Sequence, residues 1–351
     1  MIPHNKPSIS KREEESVMRV LRSGHIAQGK EVEEFEDSLC SYLGHKSGHG
    51  VAFSSGTAAL YVALLCAGVQ RGDKIITSTY VCSSVLNAIY FIGAKVILVD
   101  IDPVHFNISF EAVKEKIDSA TKAIIVPHIF GMPADIDKFI GLDIPIIEDC
   151  AQGIGAKLND RQVGTFGAIT VFSFYATKLL TTGHGGMVVS KDNKIIDKLK
   201  DYREFDCRKD YRPRFNFQMS DFQAAMGKIQ LERLPSFLEK RKDIAGEYYK
   251  ILPKDVAWPP KDIKNREPNF YRFLIRDNNP RKLQGFLKEK GIKTIIPIEN
   301  YELLHRYLKQ DSKDFPISEE VANSTLSLPI YPSLTSSEIE KIKEAIREIY
   351  V

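Results

Sequence analysis

The chain has 351 residues, 43% hydrophobic and 27% charged, enough apolar material for roughly two folded units and a sizeable core. Its 49 basic and 46 acidic residues leave a net charge of +3, too balanced for a nucleic-acid binder, which would show a basic stripe. The polar start Met1–Pro7 lacks the apolar core of a signal peptide, and the longest apolar stretch, Ala58–Val69, is too short to span a bilayer. A cytoplasmic enzyme without membrane or nucleic-acid partners is expected.

In chain order, residues 24–29 read as a loop. Lys30–Leu43 shows helical spacing through Val32, Phe35, Leu39 and Leu43, ending at Gly44. The short apolar run Val51-Ala52-Phe53 precedes a Ser/Gly turn and an Ala/Leu-rich helix, Thr57–Ala67. Strands are predicted at Asp73–Thr77, Lys95–Asp100, Ala123–Pro127, Ile144–Asp149, Ile169–Phe174 and Gly186–Ser190, with helices at Ser83–Ile92 and Phe110–Ile117. Short apolar runs separated by helices imply a mainly parallel sheet covered on both faces. After Leu234-Pro235 the pattern changes: a charged helix (Ser236–Leu252), the loop Trp258-Pro259-Pro260, a strand (Phe270–Ile275) and helices Arg281–Lys290 and Ser336–Ile349. A large α/β domain, residues 1–235, and a smaller α+β domain, 236–351, are expected.

The cysteines Cys40, Cys66, Cys82, Cys150 and Cys207 are odd in number and form no CxxC pair, so free thiols are expected rather than disulfides or zinc. His45 and His49 are crowded by Gly44, Gly48 and Gly50 and read as loop histidines, so no metal is expected.

Three features carry chemistry. Ser54-Ser55-Gly56-Thr57 opens a helix whose free N–H groups and dipole attract an anion, though alone it is an ordinary N-cap. Asp149 closes a buried strand, where ligands of parallel sheets collect, though one aspartate there equally suits a helix cap. Its neighbour Glu148 should face the opposite side of the sheet. Lys178, among Phe174, Tyr175, Leu179 and Leu180, suits a desolvated, nucleophilic amine, and equally a lysine whose stem lies on apolar surface. An anion site, an acid and a lysine in this order suggest a pyridoxal phosphate pocket, with the acid keeping the ring nitrogen protonated.

The motifs extend this reading along nearly the whole chain. They are the run Gly29–Glu36, Ser55–Leu60, Arg71-Gly72-Asp73, Glu148–Ala156, Val163–Gly167, Ser173–Lys178, Gly185–Val189, Asp221–Ala225 and Leu326–Pro329. Together they resemble the DegT/DnrJ/EryC1/StrS family of pyridoxal-phosphate-dependent aminotransferases, mostly sugar aminotransferases. The resemblance implies an aspartate-aminotransferase-like (type I) fold and a homodimer with active sites at the subunit interface. It implies that Lys178 holds the cofactor covalently and that Asp149 pairs with its ring nitrogen. Gln152 would lie near its phenolic oxygen. Ser55, Gly56, Thr57 and Ser173 would hold its phosphate, with Asn216 reaching that phosphate from the partner subunit. Pyridoxamine phosphate would form between half-reactions.

Three positions depart from the family pattern. Cys82 stands where an aromatic residue usually stacks on the ring, leaving either its thiol or Tyr80 for that place. His184 replaces a glutamate, and Gln218 replaces an arginine. The Arg203–Arg214 stretch carries Arg203, Arg208, Lys209, Arg212 and Arg214, which suit either a nucleotide diphosphate or a solvated loop.

The expected reaction moves an amino group from L-glutamate to a keto sugar, most simply a nucleotide-linked one in surface-glycan or deoxyamino-sugar synthesis. Lys178 would be the acid–base group, its amine brought towards neutrality by desolvation. A cyclitol ketone remains open as acceptor. A sugar dehydratase of the family would carry histidine in place of Lys178, and a non-catalytic regulator would need a damaged site.

Overall fold

Ile75 and Ile76 are neighbours on one strand, both fully buried, and they pack into different cores. That alternation, repeated at Ile124/Ile125 and Ile146/Ile147, builds a central sheet with helices on both sides. The computed structural model describes residues 1–261 and 263–350.

The elements run α1 (Lys11–Ser23), α2 (Lys30–Tyr42), β1 (Gly50–Phe53), α3 (Gly56–Cys66), β2 (Lys74–Ser78), α4 (Ser84–Ile92) and β3 (Lys95–Val99). Next come α5 (Phe110–Lys116), β4 (Thr121–Pro127), α6 (Ile136–Ile140), β5 (Ile146–Asp149), β6 (Lys157–Leu158), β7 (Arg161–Gln162), β8 (Ile169–Ser173) and β9 (Gly186–Val189). The remainder is α7 (Asn193–Arg203), α8 (Asp221–Tyr249), β10 (Ala257–Trp258), β11 (Arg266–Glu267), β12 (Phe273–Arg276), α9 (Pro280–Glu289), α10 (Leu304–Tyr307), α11 (Pro316–Ser324), β13 (Thr325–Leu328) and α12 (Ser336–Tyr350).

Seven strands form the main sheet in the order β1-β9-β8-β5-β4-β2-β3. All neighbours are parallel except β9, which runs against both β1 and β8. One face packs on α3, α4 and α7; the other packs on α2 and α8 at the β9 side and on α5 and α6 at the β3 side. Each fully buried isoleucine contributes about 1.5–3 kcal/mol relative to exposure. This is the expected mixed, mostly parallel fold-type-I sheet. A second sheet, β10-β12-β13, is antiparallel and shares a core with α9, α12 and the end of α8.

Residue 235, where the sequence suggests a change of unit, lies inside α8. That helix begins at Asp221 behind a Ser220–Gln223 capping box and runs 29 residues, so the expected start at Ser236 is corrected. Pro235 is exposed and tolerated within it. The first half of α8 packs with α2 through Ala224, Leu231 and Leu234, and its second half joins the C-terminal core through Ile244 and Tyr248. Helices α1, α7 and α11 and strand β13 are additional to the sequence reading. For α1, the charged run hides a helix that docks through a buried acid and a buried valine, Glu13 and Val20. Glu13, 1% exposed, accepts from Gln230 Nε2 at 2.7 Å and pairs with Arg233. Among the described residues no helix is long and apolar enough to cross a membrane.

Candidate active site

Strands β4, β5 and β8 are parallel, so their carboxyl ends share one rim of the sheet. Pro127 stands opposite Asp149, and Asp149 opposite Val171. Ser173 ends β8, and the turn after β1 brings Ser55–Thr57 to the same rim. These ends surround a cavity of 260 Å3. Its wall contains Ser55, Gly56, Thr57, Cys82, Asp149, Gln152, Ser173 and Lys178, eight of the nine site residues read from sequence. The ninth, Asn216, is exposed and outside that wall.

The N-terminus of α3 is tightly built. A Cβ on Gly56 would lie 2.7 Å from Ser173 Cβ, so only glycine lets helix and strand end meet. Ser55 Oγ accepts from Ala58 N–H at 3.1 Å, which leaves its hydroxyl proton free to donate into the cavity. Four backbone N–H groups begin a helix here with hydroxyls at 55, 57 and 173 beside them, a cradle for a phosphate.

Asp149 lies at the cavity base, 8% exposed. Its carboxylate accepts the Ala151 N–H at 2.9 Å. Burial raises its pKa, against the opposing pull of that N–H, Lys178 and His128. A buried carboxylate so thinly compensated suits a cationic N–H partner from a ligand. Glu148 points to the other side, as alternation requires. It accepts from Gly164, Phe166 and Gly167 N–H at 2.6, 3.0 and 2.8 Å, and from His128 Nε2 at 3.1 Å. Burial pushes the Glu148 pKa up, but these donors outweigh it and the net direction is down. Because Ala134 N–H donates to His128 Nδ1 at 2.9 Å, the imidazole proton sits on Nε2, facing Glu148. His128, Glu148 and Cys150 bring ligand-type atoms within 4.8 Å of one another, but these hydrogen bonds already engage His128 and Glu148.

Gln152 Oε1 accepts the N–H of Phe130 at 2.6 Å, and Phe130 itself has a left-handed φ of 54°. The amide is therefore oriented with Nε2 as its remaining donor. Lys178 is half-buried in the turn after β8, its N–H bonded to Tyr175 O at 2.8 Å. Asn5 Nδ2 binds the carbonyl of Thr177 at 3.0 Å, tying the N-terminal segment to this turn. His184 stands exposed at the mouth, edge-on to Tyr175 at 5.2 Å.

Of the two stacking candidates, Cys82 lines the cavity and Tyr80 does not. Tyr80 is fully buried and packs edge-to-face on Phe130 at 5.8 Å. The cationic stretch after α7 also divides. Arg203 is buried against Glu36 at 2.6 Å, and Arg214 is paired with Asp201 and Asp210 at 3.0 and 2.8 Å. Arg212 also reaches Asp201, at 2.8 Å, but its side chain is more than half exposed.

Two neighbours of the site escape sequence reasoning. His128 directly follows β4, and the strand-end rule applied to that strand would have found it. Tyr271 is remote in sequence, and nothing local marks it: Lys178 Nζ lies 5.4 Å from its ring centre.

Residues 7–347 match the model of the DegT/DnrJ/EryC1/StrS aminotransferase family. Among relatives, a protein named "Pleiotropic regulatory protein" from Geobacillus stearothermophilus is 32% identical, over 95% of this chain and 94% of its own. GDP-perosamine synthase of Escherichia coli O157:H7 is 31% identical, over 99% of this chain and 98% of its own. The crystal structure of the aminotransferase TlmJ from Streptoalloteichus hindustanus superposes with a TM-score of 0.92 at 28% identity, covering 99% of this chain and 98% of that one.

Proposed function

The chain belongs to the DegT/DnrJ/EryC1/StrS aminotransferase family and is an aminotransferase, and we propose that it moves an amino group from L-glutamate to a nucleotide-linked keto sugar. The observation that carries the chemistry is one cavity walled by a helix N-terminus with hydroxyls, an undercompensated buried Asp149 and the amine of Lys178. The residues present fit pyridoxal phosphate. Ser55, Gly56, Thr57 and Ser173 would hold its phosphate, Asp149 its ring nitrogen, Gln152 Nε2 its phenolic oxygen and Lys178 its carbonyl carbon. When bound, that cofactor supplies the electron sink that makes the donor's α-proton acidic.

The chain's own groups do the rest. Lys178 Nζ takes the proton from the carbon bearing the donor's amine and returns it on the acceptor side. Asp149 holds positive charge at the cavity base. Among the described residues, Lys178 is the only lysine or arginine in the wall of a cavity whose other ionisable-type side chains include Asp149, His128 and His184. Anionic substrate groups would therefore meet charge from outside it. A homodimer supplies that, with Asn216 of each subunit and the exposed part of the Arg208–Arg212 loop directed to the other's site. The Escherichia coli relative, named for a GDP-linked product, supports the nucleotide sugar. A cytoplasmic location goes with this reading. A cyclitol acceptor is the second reading, kept open by the departures at Cys82 and His184, which line the cavity, and at Gln218.

The test is the visible absorption of the purified protein. A yellow band that bleaches on L-glutamate, returns with 2-oxoglutarate and is absent in Lys178→Ala is expected. A colourless protein that pyridoxal phosphate cannot reconstitute would overturn the proposal and favour a non-catalytic role.

A further inference from the structure

Behind Lys178, outside the cavity lining, packs a segment from the C-terminal part of the chain. Tyr271 is 7% exposed, with the Lys178 ammonium 5.4 Å above its ring centre. The Thr177 side chain lies beside its phenol and favours the ionised form. Its backbone cannot swing away. The Tyr271 N–H donates to Asn269 Oδ1 at 2.8 Å, and Asn269 Nδ2 grips the carbonyls of Gln152 and Ile154 at 2.7 and 2.9 Å. A Cβ on Gly131 would overlap Asn269 Oδ1 at 1.7 Å, so this clamp has no slack. Arg241, fully enclosed, holds the carbonyls of Phe270 and Ile330 at 3.0 and 2.8 Å.

We propose that Tyr271 is the positioning residue of Lys178: its ring and phenol fix the amine at the cavity wall and couple the amine's charge to a second proton-bearing group. The inference rests on Lys178 being the reactive amine, as above.

The groups facing the phenol are cations from three elements. Lys178 comes from the turn after β8, Arg272 from its own segment with the guanidinium 5.2 Å from the ring, and Arg241 from α8. His4, from the N-terminal segment, meets Arg272 at 3.3 Å and stays neutral, its pKa lowered to about 3 by burial and by the adjacent cations. Burial alone would raise the Tyr271 pKa. Lys178, then Arg272, the Thr177 hydroxyl and Arg241, outweigh it and bring it to about 8. A ring over an ammonium also gains cation–π attraction, stronger away from water. The pair thus gives Lys178 a fixed partner each time its amine changes between charged and uncharged forms.

The experiment uses the cofactor-free protein and the near-ultraviolet tyrosinate band. One tyrosine should titrate near about 8, and its signal should vanish in Tyr271→Phe. In Lys178→Met its midpoint should rise by at least about one pH unit, while Lys178→Arg should keep it low. An unchanged midpoint in Lys178→Met, or no tyrosine titrating below the ordinary range, would overturn the inference. The lysine variants leave the phenol in place, so the test stands even if Tyr271→Phe does not fold. Because no cofactor is present, a shifted midpoint in a protein that glutamate never bleaches would sink the aminotransferase proposal alone.

Discussion

Glu148 and Asp149 are adjacent carboxylates on β5, both buried, and they face opposite sides of the sheet. Glu148 takes three backbone N–H bonds and one imidazole; Asp149 takes one N–H. The net pKa direction is down for the first and up for the second. Two buried acids therefore have opposite electrostatics, and hydrogen-bond supply decides between them. A saturated buried acid organises the fold, here the Val163–Gly167 loop. An undersupplied acid at a strand end keeps lone pairs open on the cavity side, which is what the proposed pairing with a ligand's positive charge requires.

The sharpest way to break this contrast is Asp149→Asn. If Asp149 serves a ligand, the glutamate half-reaction should slow by roughly a thousandfold, the scale of removing one preorganised charge partner. The cofactor-free protein should melt no lower than wild type, because an amide avoids the burial penalty of the carboxylate. Single-turnover bleaching and thermal denaturation read the two sides. A large loss of stability would make Asp149 structural and erase the comparison.

Glu148→Gln should do the reverse. It leaves N–H donors of the 163–167 loop imperfectly matched and should cost about 2–3 kcal/mol of stability, with the rate per folded molecule nearly kept. The pH dependence separates the two acids by sign. The Glu148 pKa lies below its reference 4.5 in the fold, so its stabilisation is full above that pH and lost as pH falls through the folded value. The Asp149 pKa lies above its reference 3.8, so its contribution is favourable below 3.8 and lost as pH rises through the folded value. Relative to wild type, Glu148→Gln should become more destabilising, and Asp149→Asn more stabilising, as cofactor-free protein is taken from acid to neutral pH. Denaturant unfolding across that window checks both signs.

This contrast also explains what could be read from the sequence. Ser55-Gly56-Thr57, Asp149 and Lys178 each sit at a strand end or helix start within a few residues of their supporting pattern, so periodicity and turn chemistry located them. The opposite facing of Glu148 followed from strand alternation alone. The number of bonds Glu148 accepts did not, because its backbone donors come from Gly164–Gly167, 16 or more residues away. Tyr271 and Asn269 reach the site only through the packing of β12 and α8 against the main sheet, which no local period encodes. Helix α1 stayed hidden because its buried face joins a glutamate, Glu13, to a single buried valine, Val20, within a mostly charged run, and the true start of α8 because Pro235 reads as a breaker while lying on an exposed face.

The smallest expected effect tests whether the Glu148 network is graded as its distances imply. Thr170 Oγ1 reaches Glu148 Oε2 at 3.4 Å and the Gly164 carbonyl at 3.2 Å, both longer than the backbone donors at 2.6–3.0 Å. At such lengths a hydroxyl adds little to a carboxylate already held by three N–H groups. Thr170→Val conserves shape and should cost under about 1 kcal/mol, with the half-reaction unchanged. A cost approaching that of Glu148→Gln in the same denaturant titration would mean that the hydroxyl, shared between Glu148 and the Gly164 carbonyl, is the hinge of the loop. The distinction between the two acids would then rest on one side chain rather than on the backbone N–H groups that surround Glu148 and leave Asp149 exposed to the cavity.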